Sequence, residues 1–255
     1  MNIRWRSSAW LVVLVVGGSV HAAQLQVGVG SSVHLGDAVV NLGCADLQVD
    51  GALHAQTVEL ADVDNLAVGA AGVLDGGSAR IALGGDVSQS GTLIPGSSTV
   101  AITDTCGNTE SRVSGNATFH DLSVISTAGK KLVLEAGQTT TVSGMLTLQG
   151  VDGHLLQVRS SVPGTTARIA ASTQQSIQFV DVADNRAVGA HIAPGYPSQY
   201  KSVAGSNVFS WFDYDESGQS ISAKRIPTLS GWALAAVALL LAGVGVVRTR
   251  RARSH

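Results

Sequence analysis

Aromatic residues make up only 4% of the 255-residue chain and charged residues 13%; it has 5 Pro, 2 Cys and 2 Met. Strong helix formers are also scarce. Lys and Glu together number eight (Lys130, Lys131, Lys201, Lys224, Glu59, Glu110, Glu135, Glu216), which argues against a helical bundle. Low charge combined with 45% hydrophobic residues also excludes intrinsic disorder. What is abundant is Val, Thr, Ser and Gly, with 30 glycines, so the body is expected to be β.

Positive charge is missing from the middle of the chain. Arg4, Arg6, Arg248, Arg250, Arg251 and Arg253 all sit near the ends, which leaves 10 basic against 18 acidic residues between 24 and 225. A body at about −8 lacks the basic footprint that nucleic acid requires, so no nucleic-acid partner is expected. Anionic lipid headgroups would repel it as well.

Both ends read as addresses. Residues 1–23 have a positive n-region (Arg4, Arg6), an apolar run over 9–16 and a small-residue exit at His21-Ala22-Ala23, the pattern of a secretory signal cleaved after Ala22 or Ala23. Residues 226–247 run without a charge, and as a helix this segment would rise ~33 Å and cross a bilayer. The basic tail 248–255, with Arg248, Arg250, Arg251 and Arg253, would stay in the cytoplasm by the positive-inside rule and leave the body outside. The chain is thus expected first as an inner-membrane-anchored precursor and then at the cell surface or outside the cell.

The junction of body and span carries a family resemblance. Ile226-Pro227-Thr228-Leu229, then Trp232, an apolar run and an Arg cluster resemble the IPTL-type C-terminal sorting domain of Gram-negative bacteria. Gly231 and Ala233 depart from it, standing where an acidic residue and a Gly are usual. The resemblance implies that an exosortase-type membrane transpeptidase or protease reads the tail, with the inner membrane as a transient partner. Pro227 has no N–H and biases Ile226 to an extended conformation, so such an enzyme would meet an unwound segment. Trp232 stands where an interfacial aromatic anchor belongs.

Between Gln24 and Lys224, short apolar segments alternate with Gly, Asn, Asp and Ser, and no stretch has a long helical stripe. The slide that superposes Val68 on Val87 also puts Gly72 on Gly91, Leu74 on Leu93, Gly77 on Gly96, Ile81 on Val100 and Leu83 on Ile102. Gly51-Ala52-Leu53 precedes Gly72-Val73-Leu74 by a slightly longer step, and Gly144-Met145-Leu146 echoes the phrase. Periods of about 20 residues belong to solenoids. An all-β solenoid, parallel β-helix-like, is therefore expected over 24–214, with Leu47 and Val49, Val58 and Leu60, Leu66 and Val68, Leu132 and Leu134, and Leu146 and Leu148 pointing into a core too narrow for aromatic rings. A β-sandwich of the same strands is the alternative.

Apart from Phe119 and Phe179, the body's aromatics crowd into Tyr196, Tyr200, Phe209, Trp211, Phe212 and Tyr214. A solenoid needs its open end covered, so 190–214 is read as a C-terminal cap, with a platform for sugar rings as the competing reading. Residues 215–225 are expected to be a polar linker. The stretch from about Cys44 to Trp211 also resembles, more loosely, proteobacterial β-strand repeat surface proteins, through Gly43-Cys44-Ala45-Asp46-Leu47, Ala117-Thr118-Phe119-His120-Asp121-Leu122 and Val180-Asp181-Val182-Ala183-Asp184, among other phrases.

Chemistry is sparse. Cys44 and Cys106 are the only cysteines, and in an exported body they are expected to pair. Three stacked coils, however, would hold them ~14 Å apart, beyond the ~7 Å reach of a disulfide. A bridge thus requires the polar insertion 104–110 to fold back over the coils. His34, His54, His120, His154 and His191 have no zinc spacing, and no metal or other cofactor is expected. Asp62/Asp64, Asp181/Asp184 and Asp213/Asp215/Glu216 could in principle hold Ca²⁺ or act on a glycan, although solvated turns use the same residues.

These features point to a non-enzymatic, adhesin-like or matrix protein, with extracellular polysaccharide as a candidate partner. A polysaccharide-active β-helix enzyme or carbohydrate-binding module is the alternative. Arg159, Arg168 and Asp181 are its only candidates, and the steps from 159 to 168 and from 168 to 181 are too short for a coil of about 20 residues.

Overall fold

A computed structural model describes residues 24–221; the expected signal (1–23), the sorting residues from Ile226 and the apolar run 226–247 with its basic tail lie outside the described residues. The chain winds as a β-solenoid of about nine turns, and the described residues contain no α-helix, only two short 3₁₀ turns at Thr105–Gly107 and Pro197–Tyr200. Every pairing between two described strands is parallel, with antiparallel contact confined to isolated bridges, which sets aside the antiparallel Greek-key sandwich.

Three strand columns wrap the core. The first stacks Arg80–Leu83, Thr99–Ile102, Asp121–Ile125, Leu146–Gln149 and Gln175–Gln178. The second runs from Gln24–Val27 through Val87–Gln89, Glu110–Ser114, Lys131–Leu134, Leu156–Ser160 and Val180–Val182 to Val203–Ala204. The long strands Val39–Val49 and Glu59–Val68 serve both columns by bending at bulges. The third column begins with Ser32–His34, Ala52–His54, Val73–Asp75 and Thr92–Ile94, and continues as a separate sheet from Thr118–Phe119 to Val208–Phe209.

Alternation puts every second side chain inside, and parallel pairing in register stacks like on like. Leu60, Ile81, Val100, Leu122 and Leu146 form one such apolar file, with Leu83, Ile102, Val124, Leu148 and Ile177 beside it. All are buried, as are the ten residues expected to point inward from their alternation. The core is wider than expected in places, since Phe119 and Trp211 are fully buried in it.

The coil length varies, and the variation explains where the self-matches slip. Leu66 pairs with Val87, so Val68 faces Gln89 and not Val87 as the slide has it. Gly144-Met145-Leu146 enters the first column, with Leu146 beside Leu122, whereas Gly51-Ala52-Leu53 enters the third. Val87 in turn pairs with Val113, a longer step than the one from Leu66 to Val87. The surplus of that long coil is the 103–109 segment.

At the C-terminal end, Val203 and Val208 continue the stacking onto Asp181 and Asn185. Trp211 and Phe212 lie inside this last coil, with the Trp211 indole N–H donating to Asn185 Oδ1. Residues 215–219, expected to begin a linker, instead turn back onto the coil. Asp215 accepts hydrogen bonds from Ser217 and Gln219 through its side chain and from Ser210 through its carbonyl, and Gly218 sits close to the Phe209 ring.

Candidate functional site

The surplus of the long coil folds back over its neighbours as a strap. Cys106, in the 3₁₀ turn at φ 60°, reaches Cys44, in the bulge of Val39–Val49 at φ 65°, and the two form a disulfide with Cα atoms 5.5 Å apart. The fold-back on which the expected bridge depended is therefore present. Side chains seal the strap along its length: Asn108 Nδ2 donates to Asp64 Oδ1, and the buried Ser111 hydroxyl donates to the Gly84 carbonyl. Close approach needs Gly84, where a Cβ would lie 2.1 Å from the Thr105 carbonyl oxygen.

Lys130 locks this arrangement from the next coil. Its side chain is fully buried, and Nζ donates to the carbonyls of Gly84 and Asn108. Burial pushes its pKa below the ordinary lysine value, against the pull of the Asp104, Asp86 and Asp64 carboxylates. Asp104 Oδ2 accepts from the Thr127 and Ala128 amides and from the Thr127 hydroxyl. Burial alone would raise the Asp104 carboxyl, but hydrogen bonds from Ser126, Thr127 and Ala128 outweigh it and hold it below its usual range.

Two of the carboxylate pairs singled out in the sequence engage different partners, member by member. Asp62 sits at a bulge with φ 51° and accepts from Asn41, while Asp64 faces Asn65 and Asn108. Asp181 pairs with Arg159, and Asp184 accepts from Asn207. Among the described residues, no group of three or more His, Cys, Asp or Glu is arranged to hold a metal ion.

Arg159 and Asp181 lie one coil apart, so they do meet, as a salt bridge that also engages the Asp181 carbonyl. The spacings weighed from the sequence passed over that pair. Arg168 is elsewhere, in the third column, and donates to the Gly137 carbonyl. A shallow depression of about 410 Å³ beside Asp181 is lined by Gly129, Gly153, His154, Leu155 and Gln157.

The histidines and the aromatic cluster take local partners. His34 and His54 stack ring on ring at 4.3 Å, and His54 Nδ1 lies 3.3 Å from Asp75. His120 contacts Asp121, and His191 Nε2 lies 2.6 Å from the Phe212 carbonyl. Of the aromatic cluster, Tyr196 is exposed, whereas Trp211 and Phe212 are buried and so cannot stack on sugar rings. Neither Lys130 nor Asp104 was a candidate in the sequence reading. The signal that could have found them was Lys130-Lys131, half of the chain's lysines, one coil after the polar insertion.

The tail carries the assignment. Residues 226–251 match the family model of the IPTL-CTERM motif. The chain carries an IPTL-CTERM sorting motif. The match contains Ile226, Pro227, Thr228, Leu229 and Trp232 together with Arg248, Arg250 and Arg251; Arg253 lies beyond it. An IPTL-CTERM motif is a C-terminal sorting signal of an exported protein, and a β-solenoid fits a surface protein. No curated protein and no solved structure matches the chain. Among the described residues, no helix is long and apolar enough to cross a membrane.

Proposed function

We propose that this chain is a non-enzymatic structural or adhesin-like protein of the bacterial surface or extracellular matrix. Its solenoid is the displayed body, and its tail is the substrate of an exosortase-type membrane enzyme. The observation that carries the reading is the IPTL-CTERM motif on 226–251 following a disulfide-bonded β-solenoid. In this reading residues 1–23 direct export and are removed, 226–247 hold the precursor in the inner membrane, and the enzyme cuts or transfers the chain near Ile226-Pro227-Thr228-Leu229. A disulfide supports an oxidising destination. Carboxylates engaged by Asn, Arg and backbone partners support a structural surface over a catalytic groove.

A carbohydrate-binding role is the second reading. It is favoured by the shallow polar depression at His154, Gln157 and Asp181, with extracellular polysaccharide as the ligand.

Protease shaving of intact cells tests the proposal. The expected result is loss of the solenoid from cells, or its presence in the medium, with the Cys44–Cys106 bridge formed. A protected cytoplasmic protein with two free thiols would overturn it.

A further inference from the structure

The two ends of the solenoid are built differently. At the C-terminal end the terminal strands are two residues long, the Phe179 amide donates to the Tyr200 carbonyl at the end of the 3₁₀ turn Pro197–Tyr200, and 215–219 turns back onto the last coil. Gln175 is tied into that cover, its Nε2 donating to the His191 carbonyl and its Oε1 accepting from the Ala193 amide. At the N-terminal end, Gln24–Val27 and Ser32–His34 each pair on one side only, with Val39–Val49 and Ala52–His54, and no other described strand lies beyond them.

This open end is apolar. Leu25, Val33 and Val40 are half-buried, whereas Leu47, Leu53 and Leu60, their partners in the second coil, are fully buried. Val29 and Val39 are 77% and 73% exposed. Natural sheet edges are guarded by Lys, Pro, bulges or covering loops because an unpaired edge recruits another strand. From Gln24 to Ala45 the chain has no Lys, Arg or Pro and one carboxylate, Asp37.

We infer that the mature protein associates head to head, the first coil of one copy docking on the first coil of a second. The C-terminal end presents only two-residue edge strands, with 215–219 turned back onto the last coil, a poor template for a head-to-tail stack, so the contact closes on itself as a two-fold, isologous interface and stops at two copies. Identical edges related by a two-fold axis meet as antiparallel strands, which satisfies the free N–H and C=O groups of Gln24–Val27. Register places Gln24 opposite Asp46, so the chain from one to the other is a whole coil, comparable in length to the ~20–30 residues per side of a standard interface. The near-absence of charge at this end removes the repulsion that a net acidic body would otherwise impose. The inference rests on the export reading, because removal of 1–23 is what leaves Gln24 at the terminus.

Sedimentation velocity of the mature chain in mild detergent tests it, with intact mass defining the N-terminus. The wild type is expected to be a dimer. The double variant Gln26→Lys/Val39→Lys, changed only at exposed positions, should raise the dimer dissociation constant at least tenfold with unchanged circular dichroism. Val203→Lys at the opposite end should leave it unchanged. A dimer indifferent to Gln26→Lys/Val39→Lys, or open-ended oligomers broken by Val203→Lys, would overturn the inference. A monomer beginning at Ala23 or Gln24 would overturn it while leaving export intact. A monomer retaining 1–23 would overturn the export reading and this inference with it.

Discussion

Cys44 and Cys106 stand 62 residues apart in sequence and three coils apart in the stack, yet their Cα atoms are 5.5 Å from each other. The bridge closes a loop of about 60 residues, worth roughly 4 kcal/mol in the chain-entropy account. For a domain of this size, 1 kcal/mol moves Tm by about 2–4 °C. Cys44→Ser is therefore expected to lower Tm by roughly 10 °C and to loosen the first coils before the last, because solenoid stability is close to a nearest-neighbour sum. Thiol titration of the unfolded, unreduced protein should find no free thiol. Two reactive thiols would contradict the bridge.

Lys130 gives the second prediction. Its ammonium serves the Gly84 and Asn108 carbonyls, and removing a buried donor costs about 1–3 kcal/mol for each group left unsatisfied. Lys130→Ala should lower the urea midpoint. Hydrogen exchange should show the loss concentrated at 84–86 and 104–112, with the coils beyond Val180 unchanged. Loosening spread evenly along the stack would count against a local lock.

The strap's closeness to Gly84 is tested separately. Ala at position 84 would place its Cβ 2.1 Å from the Thr105 oxygen, so the strap cannot settle. Gly84→Ala is expected to leave a fraction of molecules with free Cys44 and Cys106 thiols after oxidative folding, whereas Gly107→Ala, where no atom lies within 4 Å, should pair more completely despite its positive φ.

Acid should weaken the same region. A hydrogen bond from Lys131, with the charges of Lys131 and Arg112, holds the Glu110 carboxyl below its ordinary 4.5, and Asp104 is held below 3.8. A depressed folded-state pKa contributes stability that is present above the unfolded value and lost as pH falls through the folded one. Thermal melts should therefore be insensitive to these two groups from about pH 7 to about pH 5 and should drop below about pH 4. Asp104→Asn should flatten that acid limb. An unchanged limb in Asp104→Asn would show that its carboxylate does not contribute.

Much of the fold was legible because the solenoid repeats its own instructions. Leu60, Ile81 and Val100 sit one coil apart and occupy one file, so the coil-length spacing and the two-residue alternation carried the class and the inward set together. What the self-matches miss is how far the period varies. The long coil from Val87 to Val113 displaced the later columns, moved Gly144-Met145-Leu146 to another face and made room for the strap. The Arg159–Asp181 pair was within reach, since the two are separated by one coil, but only distances between consecutive candidates were weighed. Lys130 was invisible for a physical reason: a lysine usually sits in solvent, and this one is buried only because the strap supplies carbonyls that no local pattern announces. The sorting tail was legible outright, because its signal is a short contiguous run that needs no fold to be read.

The intact mass of the protein recovered from a host that carries the sorting enzyme tests the central claim most directly. Sorting predicts a chain that has lost residues 1–23 and has been cut near Ile226-Pro227-Thr228-Leu229, so that Arg248, Arg250, Arg251 and Arg253 are gone, with the full-length tail reappearing when the enzyme is deleted. A mature chain that still ends at His255 in the presence of the enzyme would contradict it.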